Sequence, residues 1–319
     1  MSDQVKCYEY CQALFDEIFL PVLKEKYSEI LLRLSVGVIG QGSEVLGADD
    51  ELSRDHDWGP MKCQLLLPEK DVVEYGTSIS QALGAVIPDE FRGITIPQPQ
   101  SNSLPISTID AAYENLCKFA HPPVTNEEWA SIDDSAFCYA SSGFVIYDPS
   151  KALSNRISEF QAAYYPIDIW RWKLAQYLWG LWHNGDYNIR MRLTKRGDGV
   201  GLLIGQGAFV EGVLGVACLL NKRFPVYWKW LHWQFQQLPK WRDELAPQLQ
   251  ALDAAANHEI RGEIIGSMCD SIRRILQEEG FFPDTEWRMA MGGIDILKQI
   301  ESNEVREIIR GQTPHLYVW

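Results

Sequence analysis

At 319 residues, 46% of them hydrophobic, the chain is long enough to bury one large core or two ordinary ones. Its 43 acidic against 29 basic residues give a formal charge of -14, which argues against tracking a nucleic-acid backbone or an anionic membrane and favours small-molecule ligands, cationic ones included. Seven cysteines without a C-x-x-C pair, a start lacking a signal-peptide core, and apolar runs broken before the roughly twenty residues that span a bilayer set the expectation of a soluble cytoplasmic protein.

In chain order, Tyr8, Cys11, Leu14, Phe15, Ile18, Phe19 and Leu23 recur at helical spacing and predict an opening helix from Val5 to Lys26, bent or divided at Pro21. The aliphatic run Leu31 to Gly40 predicts a strand that delivers the chain to a Gly-Ser turn. Asp55 to Asp57 and Lys62 to Leu67 read as extended segments, Glu69 to Leu83 as a helix behind Pro68, and Ile94 to Ile96 and Leu104 to Ile109 as strands. After about residue 150 the composition turns helical: Tyr165 to Trp182, Leu202 to Leu220, Tyr227 to Gln237 and Ala251 to Glu279. Gly185 to Gly201 reads as a loop that carries a basic island, Arg190, Arg192, Lys195 and Arg196. The expected class is α+β: a small mixed-sheet domain over residues 1–150 and an all-helical domain over 151–319.

The chemistry concentrates between Gly42 and Asp57. Two carboxylates one residue apart on a strand point to one face, so Asp55 and Asp57 can share a metal, while His56 points away. Mg²⁺ or Mn²⁺ prefers carboxylate, phosphate and water oxygens, so two Asp and a bound triphosphate complete such a site without His or Cys. Gly40 and Gly42 let backbone approach a phosphate closely, and the Ser43 hydroxyl can donate to its oxygens.

An apolar strand, Gly42-Ser43, about eleven residues and then Asp55-x-Asp57 resembles the signature of the polymerase-beta-like nucleotidyltransferase superfamily. The longer string from Gly42-Ser43-Glu44 through Asp49-Asp50-Glu51-Leu52-Ser53-Arg54 to Trp58-Gly59-Pro60 is similar to a narrower family of nucleotidyltransferase-like proteins with unassigned function. Tyr164-Tyr165-Pro166-x-Asp168-x-Trp170 and Arg223-Phe224-Pro225-x-Tyr227-x-Lys229-Trp230-Leu231 resemble its later blocks. The resemblance implies that Asp55 and Asp57 hold Mg²⁺ or Mn²⁺ and that Gly42 and Ser43 hold the phosphates of a nucleoside triphosphate, ATP first among them. It also implies a third acid on a later strand. Asp110, directly after Leu104 to Ile109, is the best candidate, and the alternative is that it caps the following helix. Around Arg196-Gly197-Asp198-Gly199 the chain departs from that family's more polar pattern.

Other residues carry paired readings. Asp49, Asp50 and Glu51 read as solvated loop acids, and Glu44 as a surface carboxylate or a partner for Arg54. Eight of the twelve tryptophans lie between Trp170 and Trp241, more than one helix face can bury; some line the core and others meet solvent or a ligand. Lys229 either reaches the triphosphate or lays its stem over Trp228 and Trp230, and Lys173 offers the same choice. His258 and Glu259 form a candidate base pair on a helix face. The expected activity is transfer of a nucleoside monophosphate to a hydroxyl of a small-molecule acceptor with release of pyrophosphate, the two domains closing over a cleft. The competing reading is a nucleotide-binding or partner-binding module that keeps the fold without turnover. Neither reading involves nucleic acid or membrane.

Overall fold

The computed structural model describes residues 5–54, 58–96, 104–281 and 289–313. Two compact units divide the chain: Met1–Pro123 with Ile132–Ala163, and Val124–Ser131 with Tyr164–Trp319. The compositional change expected near residue 150 thus lies about one helix ahead of the division between the units. The class is α+β.

The first unit opens with α1 (Cys7–Leu14), which passes through a π-helical turn, Phe15–Phe19, into α2 (Leu20–Lys26). Pro21 sits in the first turn of α2, where a missing N–H is tolerated, so it follows the change of helix type instead of breaking the rod. Then come β1 (Ser35–Val38), α3 (Ser43–Leu46), β2 (Gln64–Leu66), α4 (Glu69–Gly84), the hairpin β3 (Glu90–Phe91) and β4 (Ile94–Thr95), β5 (Ile106–Ser107) and α5 (Ile109–Cys117). After α6 (Asn126–Ser131), which belongs to the second unit, follow α7 (Asp134–Ala140), β6 (Phe144–Tyr147) and α8 (Ala152–Ala162).

Four strands form one sheet in the order β5-β2-β1-β6. β1 runs antiparallel to β2, with Ser35 opposite Leu66 and Gly37 opposite Gln64, and antiparallel to β6, with Val38 opposite Phe144; β5 is parallel to β2. Three strands therefore share one direction and β1 opposes them. Phe15, Phe19 and Leu23 pack with Val36, Leu65 and Leu67 of the sheet and with Ile79 and Leu83 of α4. Each such side chain contributes about 1.5–3 kcal/mol when fully buried. The strand expected from Leu31 is shorter than its aliphatic run, because Leu31–Leu34 turn back on Ile30: the Arg33 and Leu34 amides both donate to its carbonyl, at 2.8 and 2.9 Å.

The second unit is helical: α9 (Ile167–Leu181), a π-helical stretch Trp182–Leu193, α10 (Thr194–Arg196), α11 (Gly199–Leu220), α12 (Trp228–Phe235), α13 (Arg242–Asp253), α14 (His258–Glu278), α15 (Met289–Lys298) and α16 (Asn303–Gln312). α9 is central, flanked by α11 and α15, which is why it buries more than one face. Trp170 donates to the Leu219 carbonyl at 3.1 Å and Trp172 to the Thr313 hydroxyl at 3.0 Å, so both indoles are buried with their N–H groups satisfied. Asp168 accepts the Glu301 and Ser302 amides at 3.0 and 2.8 Å, tying α9 to the start of α16.

The fold corrects two sequence expectations. The basic stretch Gly185 to Gly201 is largely helical: Arg190 pairs with Asp186 at 3.3 Å and Arg192 lies over the Tyr187 ring at 3.5 Å, so part of the island is engaged locally. The helix expected from Ala251 to Glu279 is two helices, because Asn257 turns extended and its side chain caps α14 by accepting the Ile260 amide at 2.9 Å. By length and composition alone α11 passes for a membrane span, with mean hydropathy 1.8; within the fold Gly212–Leu219 are buried.

Candidate functional site

β1 ends at Val38 and the chain turns through Gly40, at φ +106°, and Gly42, at φ +145° and ψ +153°, a region essentially restricted to glycine. α3 then starts at Ser43 and ends one turn later at Gly47. The antiparallel partner β2 returns to the same place. Gln64 donates to the Ile39 carbonyl at 3.1 Å, and Lys62 Nζ lies 3.0 Å from Glu44 Oε1. Glu44 is 5% exposed, contrary to its reading as a surface carboxylate, and does not pair with Arg54. Its carboxylate folds back over Gly42, so that a Cβ at that position would fall 1.9 Å from Oε1. The Ser43 hydroxyl donates to Oε2 at 3.4 Å.

Asp55, His56 and Asp57 lie outside the described residues. Their flanks do not, and α1 with the residues just before it holds both. Before them, Arg54 donates to the Val5 carbonyl at 2.9 Å, and the Asp49 carboxylate accepts the Cys7 amide at 2.6 Å. After them, the Trp58 indole donates to the other oxygen of Asp49 at 2.8 Å, lies under the Arg54 guanidinium at 4.3 Å and meets Tyr10 edge-on at 5.4 Å. The Gly59 carbonyl accepts from Cys7 Sγ at 3.4 Å and Cys11 Sγ at 3.3 Å. Contact with the Cys11 thiol and burial push the Cys7 thiol far up, and contact with Cys63 and burial push Cys11 up, so both stay protonated and serve as donors. Asp49 was expected to be solvated with Asp50 and Glu51. It is buried instead, because two N–H groups distant in sequence converge on it; Asp50 accepts from the Ser53 amide and hydroxyl, and Glu51 is exposed.

The structure does not bring Asp110 to this turn. β5 is parallel to β2 and antiparallel to β1, so its C-terminal end, which leads into Asp110, lies beside the Ser35 end of β1. Gly42 and Ser43 follow the opposite end, beyond three residue steps of about 3.3 Å along the strand, roughly 10 Å. Thr108, not Asp110, caps α5 through the Ala111 amide at 3.0 Å. Asp110 pairs with Arg156 at 2.8 Å and its side chain is 59% exposed. It borders a cavity of about 1000 Å³, lined in part by Ser35, Pro68, Glu69, Thr108 and Arg156.

Lys229 belongs to the second unit, exposed on α12 with its ammonium 5.4 Å from the Trp230 ring centre, and Lys173 lies 5.7 Å over the Tyr165 ring. His258 opens α14, next to Gly199. Among the described residues no group of three or more His, Cys, Asp or Glu is placed to hold a metal.

Sequence reasoning missed Lys62 and the clamp from α1. Strand alternation carried no signal for Lys62, since it closes a 3-10 turn, Pro60–Lys62, ahead of β2. The clamp had none either, since Cys7 meets Asp49, and Cys7 and Cys11 meet Gly59, only through tertiary packing.

A family described as a domain of unknown function (DUF4037) matches residues 129–231, less than half of the chain and apart from the Gly42–Gln64 element. No curated protein and no solved structure matches the chain.

Proposed function

We propose that the chain is a metal-dependent nucleotidyltransferase that moves a nucleoside monophosphate from a nucleoside triphosphate, ATP first among them, to a hydroxyl of a small-molecule acceptor. The reading is carried by one observation: the β1–β2 pairing returns the chain that follows Asp57 to the Gly42–Ser43 turn, where Lys62 meets Glu44 at 3.0 Å. That closure is what a strand, Gly-Ser, Asp-x-Asp element requires if its two ends are to act on one ligand. Asp55 and Asp57 would hold Mg²⁺ or Mn²⁺, which when bound neutralises triphosphate charge and favours the ionised acceptor hydroxyl. Ser43 donates its hydroxyl to a terminal phosphate oxygen, and the glycine backbone leaves room for that approach. The acceptor oxygen, its proton passing to solvent, attacks the α phosphorus in line; as that bond forms, the bond to the bridging oxygen breaks and pyrophosphate leaves.

The position of Asp110 favours a second reading. With that carboxylate at the other end of the sheet, the candidate for a third metal ligand is gone, as expected of a nucleotide-binding module without turnover. The two readings agree on binding and differ on chemistry. Thermal-shift measurement with the four ribonucleoside triphosphates and Mg²⁺ or Mn²⁺ tests the shared part: a specific ligand at a hundred times its Kd stabilises the fold by about 2.7 kcal/mol, and Asp55→Asn/Asp57→Asn is expected to remove the metal-dependent part. Equal shifts in both proteins would sink the metal assignment. Pyrophosphate release with candidate acceptors separates enzyme from binding module.

A further inference from the structure

We propose that Glu44 is an internal occupant of the phosphate cradle, its carboxylate filling in the free chain the place on Ser43 and Lys62 that a ligand phosphate takes. This deepens the proposed function and rests on it. A buried carboxylate is normally served by several donors, because an ionised oxygen without them loses much of its solvation free energy. Glu44 is poorly served. The Ser43 hydroxyl is 3.4 Å from Oε2, long for an O–H···O bond, and Oε1 has the Lys62 ammonium at 3.0 Å as its partner.

The surroundings suit an anion better than they suit this one. Gly42 leaves the space directly against the backbone open, and the carboxylate has moved into it, where any Cβ would collide. The Lys62 side chain is 20% exposed, and its ammonium meets the buried Glu44 carboxylate as counter-charge. Glu44 supplies it while the site is empty. A terminal phosphate carries more charge and three acceptor oxygens, enough to take the ammonium and the Ser43 hydroxyl together at ordinary hydrogen-bond lengths. On binding, the Lys62 ammonium passes from carboxylate to phosphate and Glu44 swings out, since two anions do not share the space.

Glu44 then competes with the ligand, and neutralising it tightens polyphosphate binding. Calorimetric titration of inorganic tripolyphosphate and of ATP, each with and without Mg²⁺, into wild type, Glu44→Gln and Lys62→Met tests this, with melting curves to establish that each variant folds. Glu44→Gln is expected to bind tripolyphosphate about tenfold tighter than wild type and Lys62→Met about tenfold weaker, the scale of a single charge-assisted hydrogen bond. A cooperatively melting Glu44→Gln with equal or weaker affinity overturns the proposal, because the carboxylate would then position Lys62 and not compete with the ligand. Should Glu44→Gln fail to fold, Glu44→Asp, one methylene shorter, is expected to tighten binding severalfold, and unchanged affinity overturns the proposal equally. Wild type that binds neither ATP nor tripolyphosphate defeats the nucleotidyltransferase reading itself. Wild type that binds, with a metal-dependent response lost in Asp55→Asn/Asp57→Asn and nothing altered in Glu44→Gln, defeats this inference alone.

Discussion

The two ends of the four-stranded sheet differ in how their polar groups are served. At the Ser35 end, charges are matched and two of the helix starts find acceptors: Thr108 caps α5, and Asp148 takes the Ser154 amide in the first turn of α8. Arg33 meets Asp71 through two bonds of 2.6 and 2.8 Å, the Ser35 hydroxyl donates to Asp148 at 2.8 Å, and Asp110 pairs with Arg156. The cavity of about 1000 Å³ is there. The Gly42 end has glycine-only backbone and a buried carboxylate, Glu44, that is held by the Lys62 ammonium at 3.0 Å and a long bond of 3.4 Å from Ser43. The cavity and the candidate site therefore lie at opposite ends of the sheet in this unit, and what sets the candidate site apart is its glycine-only backbone and its buried ion pair, features that persist only where the surrounding fold enforces them.

Gly42→Ala should produce the largest effect. At φ +145° and ψ +153° a Cβ is strained whatever space surrounds it, at a cost of about 1–3 kcal/mol. The added methyl also fills the space against the backbone that a ligand phosphate would take, so the variant should lose its response to nucleotide as well as stability in urea. Wild-type stability together with an unchanged thermal shift would mean that the backbone there is ordinary, and the contrast between the ends would collapse.

That contrast was half legible in the sequence. β1 and the glycines at the turn follow from a short aliphatic run ending at Gly40, β2 from the extended segment Lys62 to Leu67, and α4 from its spacing behind Pro68. Strand direction does not follow. Asp110 looked like a third acid because it trails a strand, and only the parallel pairing of β5 with β2 sends it to the other end. β6 escaped notice because Phe144, Val145, Ile146 and Tyr147 are all partly covered or exposed, so no alternation marks a buried face, although all four are strand formers. Asp49 is one of three consecutive acids, and local sequence cannot tell which of them turns inward when the donors come from Cys7 and Trp58.

A smaller effect should appear at the Ser35 end when the pH is lowered. Burial pushes the Asp148 carboxyl up, but hydrogen bonds from the Ser154 amide and hydroxyl and from Ser35 outweigh it and hold the group below its ordinary range. Hydrogen bonding to Arg33 lowers Asp71 in the same way. With the folded-state pKa depressed, the unfolded chain binds more protons in the acid range, so this stability is present at neutral pH and lost as pH falls through and below the ordinary carboxylate range. Asp148→Ala should cost about 1–2 kcal/mol at neutral pH, since two donors of α8 and one of β1 lose their acceptor. The penalty should shrink in acid. A penalty of equal size at low pH would locate the effect in packing instead of charge, and the matched charges at this end of the sheet would need another account.

The smallest effect is the most discriminating. Asp110 is 59% exposed, and Arg156 also holds the Ala120 carbonyl and the Glu159 carboxylate, so Asp110→Asn removes one exposed ion pair from a group that stays anchored. Exposed pairs contribute about 0–1 kcal/mol, and the neutral amide still accepts a hydrogen bond, so stability should change by less than about 0.5 kcal/mol. Nucleotide-induced stabilisation and any pyrophosphate release should match wild type. If instead turnover disappears while the melting curve is unchanged, the reacting carboxylate sits with the cavity at the Ser35 end, Gly42 and Ser43 serve only to turn the chain, and the assignment of the two ends is reversed.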